Sequence, residues 1–521
     1  MGRWLLVLAC ALCTHFAALG AGFLWLDHAH IEDGLAIFPP SHWHEAFTQG
    51  FAGTGFYRPL MALSLSLDAL VGTPLAYHAT SLAWHAAAAA MVVVAADALG
   101  LSRRAATLAG VLFAVHPIAE LSANVIAFRS EAMVVVALLA LVVFHLRDRP
   151  LAAAAALLAG ALTKEVALVL APLFLIALGT RGAPGALDAL HAGAKPGCPK
   201  RLRLWLAEGA ALLIAIALRL AFAPSWRASH EALSASDAIG TRLASLAKGA
   251  GALLFPIDRH VCDAFRITPM WHPTSLLGLA IAVALAWLAF RRRGPALLLA
   301  LAILPALQLV PVMRWWSPHY FYVPLAFAAM LAAEALDRLP RAVPVALVAT
   351  FGALSLVDGR RFHDDESLWK PEIAAQPACR EGQFYLADVD RQAHRLAAAA
   401  KKYEAALAPW PGVLAFVDRT AALENMGTTY IALRRFADAK STFRTALAGT
   451  RDERQRRELT HDLAGATLEG GDPAETDRLL APETARPDAF PESLALRARA
   501  LHDLGRNTEA QSLLARLPHA N

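Results

Sequence analysis

Charge is scarce in this 521-residue chain: Asp, Glu, Lys and Arg together make up 17% of it, against 57% hydrophobic residues. The mean hydropathy of +0.44 excludes an ordinary soluble multidomain protein and points to a polytopic membrane protein. Cysteine is also sparse. Cys10, Cys13, Cys198, Cys262 and Cys379 show no metal-ligand spacing and no disulfide framework, so no compartment is read from them. No Walker loop, no Rossmann glycine pattern and no nucleic-acid motif is present, and the expected partners exclude nucleic acid. No divalent-metal site is evident.

What the chain does have is a series of apolar stretches at 4–26, 76–99, 105–115, 132–146, 151–162, 166–179, 204–223, 274–290, 295–312, 320–336 and 341–357. They predict about eleven spans, although 151–162 and 166–179 each reach only about 20 Å and fit a re-entrant hairpin. The first stretch is read as a retained transmembrane helix rather than a signal peptide. Arg3, Arg103-Arg104, Arg147, Arg149, Lys195 to Arg203, Arg291 to Arg293, Arg338 and Arg341 all fall on one side, which the positive-inside rule makes cytoplasmic. The other side then holds 27–75, 116–131, Lys164-Glu165, 224–273, 313–319 and everything after about residue 358. The segment Thr241 to Phe255 reads as interfacial or re-entrant. The longest inside loop, 181–203, is too short to be a cytosolic nucleotide-sugar enzyme.

From Arg360 the composition turns polar and helix-forming. Gly427, Tyr430, Ala439, Phe443 and Ala446 fit the tetratricopeptide spacing, and Leu386, Ala399, Tyr403, Ala406 and Pro411 fit an earlier copy. The frames are offset by 40 residues (Ala399 to Ala439, Tyr403 to Phe443), which predicts an insertion near Ala415 to Thr420. Leu504-Gly505 and Ala510 to Leu514 read as the last helical hairpin. A generic alanine-rich bundle is the competing reading. The expected division is a membrane domain over 1–358 and a helical-repeat domain over 359–521.

Ionisable residues at membrane depth are costly and usually pair, line a cavity or do chemistry. The turn at 116–131 packs His116, Glu120, Arg129 and Glu131 between two apolar stretches. It suits an internal ion-pair network or an anionic-substrate site in which Arg129 and Lys164 face phosphate and Glu120 orients them. Lys164-Glu165 repeats the pattern. The first outside loop opens with Trp25-Leu26-Asp27-His28 and continues to Glu32-Asp33; an acid at a membrane surface can serve as general base for an acceptor hydroxyl, or simply be a solvated loop acid. Arg58 follows Tyr57. His78 and His85 share a helix face, with His78 nearer the outside and His85 better read as structural. Arg314, His319 and Tyr320 lie at the last outside loop, where Trp315 and Trp316 read as interface anchors.

Together these segments resemble the multi-pass C-type (GT-C) glycosyltransferases with C-terminal tetratricopeptide repeats, including the transmembrane O-mannosyltransferases and their bacterial relatives. The matching elements are WLDH at 25–28, YRPL at 57–60, YHATSLAWH at 77–85, FAVHPIAELSANVIAFRSE at 113–131, LTKE at 162–165 and HYFYVP at 319–324. The resemblance implies an all-α polytopic bundle with short amphipathic helices in its first outside loop, followed by an α-helical repeat solenoid. It implies a polyprenyl-phosphate sugar donor, a protein or glycan acceptor docked through the repeats, and inverting transfer on the outer face. Asp27 would be the catalytic acid, with Glu32 and Asp33 nearby. His28, Arg58, His78, His116, Glu120, Arg129, Lys164, Glu165, Arg314, His319 and Tyr320 would form the substrate surface. Two positions depart from the pattern: Leu26 stands where paired acids are common, and Glu131 where aspartate is commoner. The alanine-rich composition suggests a bacterial inner membrane with the repeats periplasmic. Two other classes fit less of the chain, an inactive envelope scaffold and a flippase for a lipid-linked substrate.

Overall fold

The computed structural model describes residues 2–179, 199–223, 233–292 and 294–517. Cys198 and most of the basic loop before Arg203 lie outside them. Among the described residues the chain is helical throughout apart from two two-residue extended pieces, Phe265–Arg266 and Val413–Leu414. It divides into Met1–Leu368 and Trp369–Asn521.

Among the described residues of the first unit each of the eleven stretches contains an apolar helix, but the stretch 4–26 is not one long helix: it is α-helical only to Thr14 and continues as a 3₁₀ turn over Phe16–Gly20. Six are long and apolar enough to cross a membrane: Pro74–Ala98, Ile126–Leu146, Arg201–Phe222, Pro273–Arg292, Pro318–Leu336 and Ala342–His363. Arg103–Val115 and Pro117–Asn124 form a bent pair, 51° apart, with the length and composition of either one broken span or a re-entrant loop. Pro117 explains the break, because it disfavours helical backbone at His116, which is extended. Gly2–Thr14, Pro150–Thr163, Val166–Gly179 and Pro295–Leu307 are shorter apolar helices. This makes a polytopic, all-helical membrane protein.

Local chemistry sets the helix starts. Proline occupies the first turn at Pro59, Pro74, Pro150 and Pro295, where no N–H is needed. Thr73, Ser102 and Ser234 cap their helices by accepting backbone N–H groups. Pro59–Asp68 is the principal helix of the segment 27–75, preceded by tight 3₁₀ turns at Pro40–Phe47 and Phe51–Gly53. Ser234 opens Ala235–Leu254, the helix over the segment read as interfacial. Its C-terminal end leaves Leu254, Phe255 and Ile257 exposed. Gly278 lets Pro273–Arg292 approach this helix; a methyl group there would overlap the Leu243 carbonyl.

Burial is graded. Ile126–Leu146 is 89% buried and packs against Pro74–Ala98 and Pro150–Thr163. Arg201–Phe222 and Pro273–Arg292 are 22% and 17% buried, leaving apolar faces outward. The cysteine expectation is corrected. Cys10 and Cys13 are free, but Cys262 and Cys379 are disulfide-bonded, which linear spacing could not report.

The second unit holds four helical hairpins: Arg380–Gln392 with Leu396–Leu407, Arg419–Ala432 with Phe436–Gly449, Glu453–Glu469 with Pro473–Thr484, and Pro491–Asp503 with Asn507–Leu514. Each turn contains a left-handed residue: His394, Arg434, Gly471 and Gly505. Each closes with the same backbone bond across five residues, from Arg395 to Asp390, Arg435 to Tyr430, Asp472 to Thr467 and Arg506 to Leu501. Ala399, Tyr403, Met426, Tyr430, Ala439 and Phe443 share one core. A Cβ on Gly427 would lie 2.6 Å from the Phe443 ring, so the small residue is required by helix approach.

Candidate functional site

The loop after Gly2–Thr14 reaches Trp25 in a left-handed conformation, φ 56°. For a non-glycine residue this costs about 1–2 kcal/mol. A single π-helical turn, His28–Glu32, follows directly. Such turns are rare and often mark functional positions. Between these two irregular pieces sits Asp27, fully buried. One carboxylate oxygen accepts the Ala127 N–H at 2.7 Å, and the other accepts the Leu24 N–H at 3.5 Å. Asp27 thereby ties the loop to the turn at 116–131. Burial pushes its carboxyl up to about 7, against the pull of those N–H groups and of His28.

His28 does not face an open site. Its Nε2 lies 2.6 Å from Asp365 Oδ2, and its Nδ1 pairs with Glu32. Burial lowers its pKa, but the two carboxylates outweigh that and bring it up to about 9. Glu32 and Asp33 are exposed.

A second group of side chains lies alongside. Arg58 holds Glu165 through Nε (3.0 Å) and Nη2 (2.9 Å) to the same oxygen, and the Tyr57 N–H donates to the other at 3.0 Å. Lys164 pairs with Glu131. His319 Nε2 is 3.7 Å from that same Glu131 oxygen, and its ring lies 4.6 Å from Phe128. Phe128 in turn packs 5.1 Å from Trp25, whose indole is covered by the Arg314 guanidinium at 5.3 Å. Tyr320 donates its hydroxyl to the Arg314 carbonyl at 2.9 Å. Buried His30 senses both arginines: desolvation first, then the charges of Arg58 and Arg314, push its imidazole down to about 3. Arg58, Lys164 and Arg314, the first two paired with Glu165 and Glu131, thus form a buried charged cluster that reaches Trp25 through Arg314 and through His319 and Phe128.

The structure separates other expected members from this surface. Arg129 is fully buried and engaged internally: Nε with Ser81 Oγ (3.0 Å), Nη1 with Ser64 (2.9 Å), and Nη2 with the Tyr77 carbonyl and Asp68 (both 2.6 Å). It therefore locks the bundle rather than facing a phosphate. Glu120 does not orient Arg129 or Lys164; it pairs with Asn124 and lies 3.8 Å from His15. His116 bonds the Leu253 carbonyl and the Ile118 N–H, and His78 bonds the Gly22 carbonyl. Trp315 and Trp316 are buried, not interface anchors. His85, read as structural, bonds Tyr322 and the Ala114 carbonyl.

Asp68, Asp365 and His30 were not singled out from the sequence. Asp68 ends the otherwise apolar run after Arg58, which was a usable hint; Asp365 lies over three hundred residues from its partners and left none. Among the described residues no group of three or more His, Cys, Asp or Glu side chains is placed to hold a metal.

The fold and site define a polytopic helical membrane protein with a buried loop acid and a buried cluster of paired charges in one unit, and stacked helical hairpins in the other. Part of the chain is similar to curated protein O-mannosyl-transferases. It is 34% identical over 119 residues to the protein O-mannosyl-transferase Tmtc2 of Drosophila melanogaster, covering 21% of this chain and 13% of that protein. It is 33% identical over 124 residues to tmtc2 of Xenopus laevis, covering 22% and 15%. TMTC3 of Mus musculus is 28% identical over 138 residues, covering 25% and 15%. The matched stretch is about one-seventh of the length of these relatives. No protein-family model and no solved structure matches the chain. The resemblance to transmembrane O-mannosyltransferases is thus also a measured similarity.

Proposed function

We propose that this protein is a membrane glycosyltransferase that moves a hexose from a polyprenyl-phosphate donor to a hydroxyl of a protein or glycan acceptor. The observation that carries the reading is the position of Asp27, a buried carboxylate two residues after Trp25, whose ring lies under the Arg314 guanidinium. A carboxyl near 7 is matched to general-base work at neutral pH. Its bond to Leu24 is at the limit of hydrogen-bonding distance, so that oxygen retains capacity for an acceptor O–H. In the step, the acceptor oxygen bonds to the anomeric carbon, the bond from that carbon to the phosphate oxygen breaks, and the hydroxyl proton passes to Asp27. The lipid phosphate leaves with the bonding electrons, its charge met by Arg58, Lys164 and Arg314. Attack opposite the leaving group inverts the anomeric centre. The similar proteins carry O-mannosyl-transferase names, which makes mannose the first donor to try. The helical hairpins would present the acceptor, as tetratricopeptide arrays do with peptides. The setting would be the outer face of a bacterial inner membrane, with the hairpins periplasmic.

The test is transfer by purified protein from a panel of polyprenyl-phosphate sugars, wild type beside Asp27→Asn. Transfer should be lost in the variant, which still folds; equal activity would remove Asp27 from the chemistry. A second reading, a non-catalytic scaffold, is favoured by the complete burial of Asp27 and its two backbone partners. Absence of transfer from every donor would select it.

A further inference from the structure

Asp365 grips the chain on both sides of Asp27. Its Oδ1 accepts the Trp25 N–H at 2.9 Å, and its Oδ2 takes His28 Nε2 at 2.6 Å. Just upstream of it, the His363 carbonyl accepts the Gly22 N–H at 3.1 Å. The strand of chain carrying Asp27 is therefore stitched at three points to the segment that leaves the last apolar helix. Asp365 itself is buried, at 6% exposure, so its charge is only weakly shared with water.

We propose that Asp365 is the positioning residue of the Asp27 loop, holding Trp25 in its left-handed step and His28 as a cation next to Asp27. This rests on the reading of Asp27 as the base. The left-handed Trp25 needs an acceptor for its buried N–H; without one, the strain and the unmet donor would both favour another backbone path. His28 faces two acids, Asp365 and Glu32. Asp27 faces the Ala127 and Leu24 N–H groups and the charges of His28 and Arg129. Removing Asp365 leaves His28 with one exposed acid and weakens its hold on its proton. Asp27 then has one cation fewer beside it and ionises at a higher pH.

The experiment uses the full-length protein with Asp365→Asn, and with Asp364→Asn as control, since Asn can still cap the Ser367 N–H as Asp364 does. The first readout needs no activity: carbethoxylation by diethyl pyrocarbonate at pH 7, mapped to His28, because only neutral imidazole reacts. Wild type and Asp364→Asn should spare His28, and Asp365→Asn should label it at least about five-fold faster. Equal labelling in all three overturns the proposal. The second readout is the pH profile of kcat. Its acid limb should move to higher pH in Asp365→Asn, with kcat at pH 7 down about ten-fold and KM changed less than about two-fold. An unshifted limb overturns the proposal even where labelling changes, because Asp365 would then only support the fold. If wild type transfers no sugar at all, the transferase reading falls, and labelling alone decides the clamp.

Discussion

At the scale of single residues, Arg129 is the one whose role the structure changes most, while Asp27 stays the candidate base that the sequence offered. Arg129 stood in a charge-rich turn and invited a ligand, yet its donors are taken up by Ser64, Ser81, Tyr77 and Asp68. Removing one partner of such a pair leaves a buried charge uncompensated, which costs about 3–5 kcal/mol. Arg129→Met should therefore lower thermal stability sharply in detergent, and adding Asp68→Asn should restore part of it. A ligand-binding arginine would give the reverse, a stable protein with raised KM. Asp27 gives a pH prediction. Its ionised form is the base, so kcat should rise as pH climbs through about 7 and fall away below it. Asp27→Asn should cost about 10²–10⁴ in kcat at pH 7.5. The sequence showed both residues, because an acid after an apolar stretch and an arginine before one are conspicuous. It could not show their partners: Asp68 and Asp365 become relevant only once distant segments meet.

Helices and turns were easier to foresee. Every apolar stretch contains a helix, since composition decides that locally, although 4–26 and 295–312 leave the helix at Thr14 and Leu307. Pro117 announced the break that now separates Arg103–Val115 from Glu120–Asn124. Around the break His116 finds a distant partner, the Leu253 carbonyl, whereas Glu120 finds Asn124 one turn further along its own short helix. In the second unit, the 40-residue offset between Ala399 and Ala439 reappears between the left-handed His394 and Arg434. Gly427 offers the test at this scale. Gly427→Leu forces a side chain into the Phe443 ring and should destabilise this hairpin by about 1–3 kcal/mol, read as faster proteolysis between residues 419 and 449. Phe443→Leu in the same chain should relieve part of the effect. Arg434→Gly should act oppositely, removing left-handed strain and raising the melting temperature of the second unit.

For the whole molecule, the basic residues give an orientation that can be checked without any assay of chemistry. Reporters after Asn521 and within 27–75 should both report the outer side, and one beside Arg103-Arg104 the cytoplasmic side. A cytoplasmic signal after Asn521 would overturn the crossing parity. The graded burial of the first unit carries a further consequence. Ile126–Leu146, which starts with Arg129 and Glu131 in its first turns, barely meets lipid, whereas Arg201–Phe222 and Pro273–Arg292 meet it along most of their length. A change in bilayer thickness is thus absorbed by tilting the outer helices, at a fraction of a kcal/mol per Å of mismatch. The central helix rides through it unmoved, so this protein should tolerate transfer between membranes of different lipid chain length with its charged centre intact.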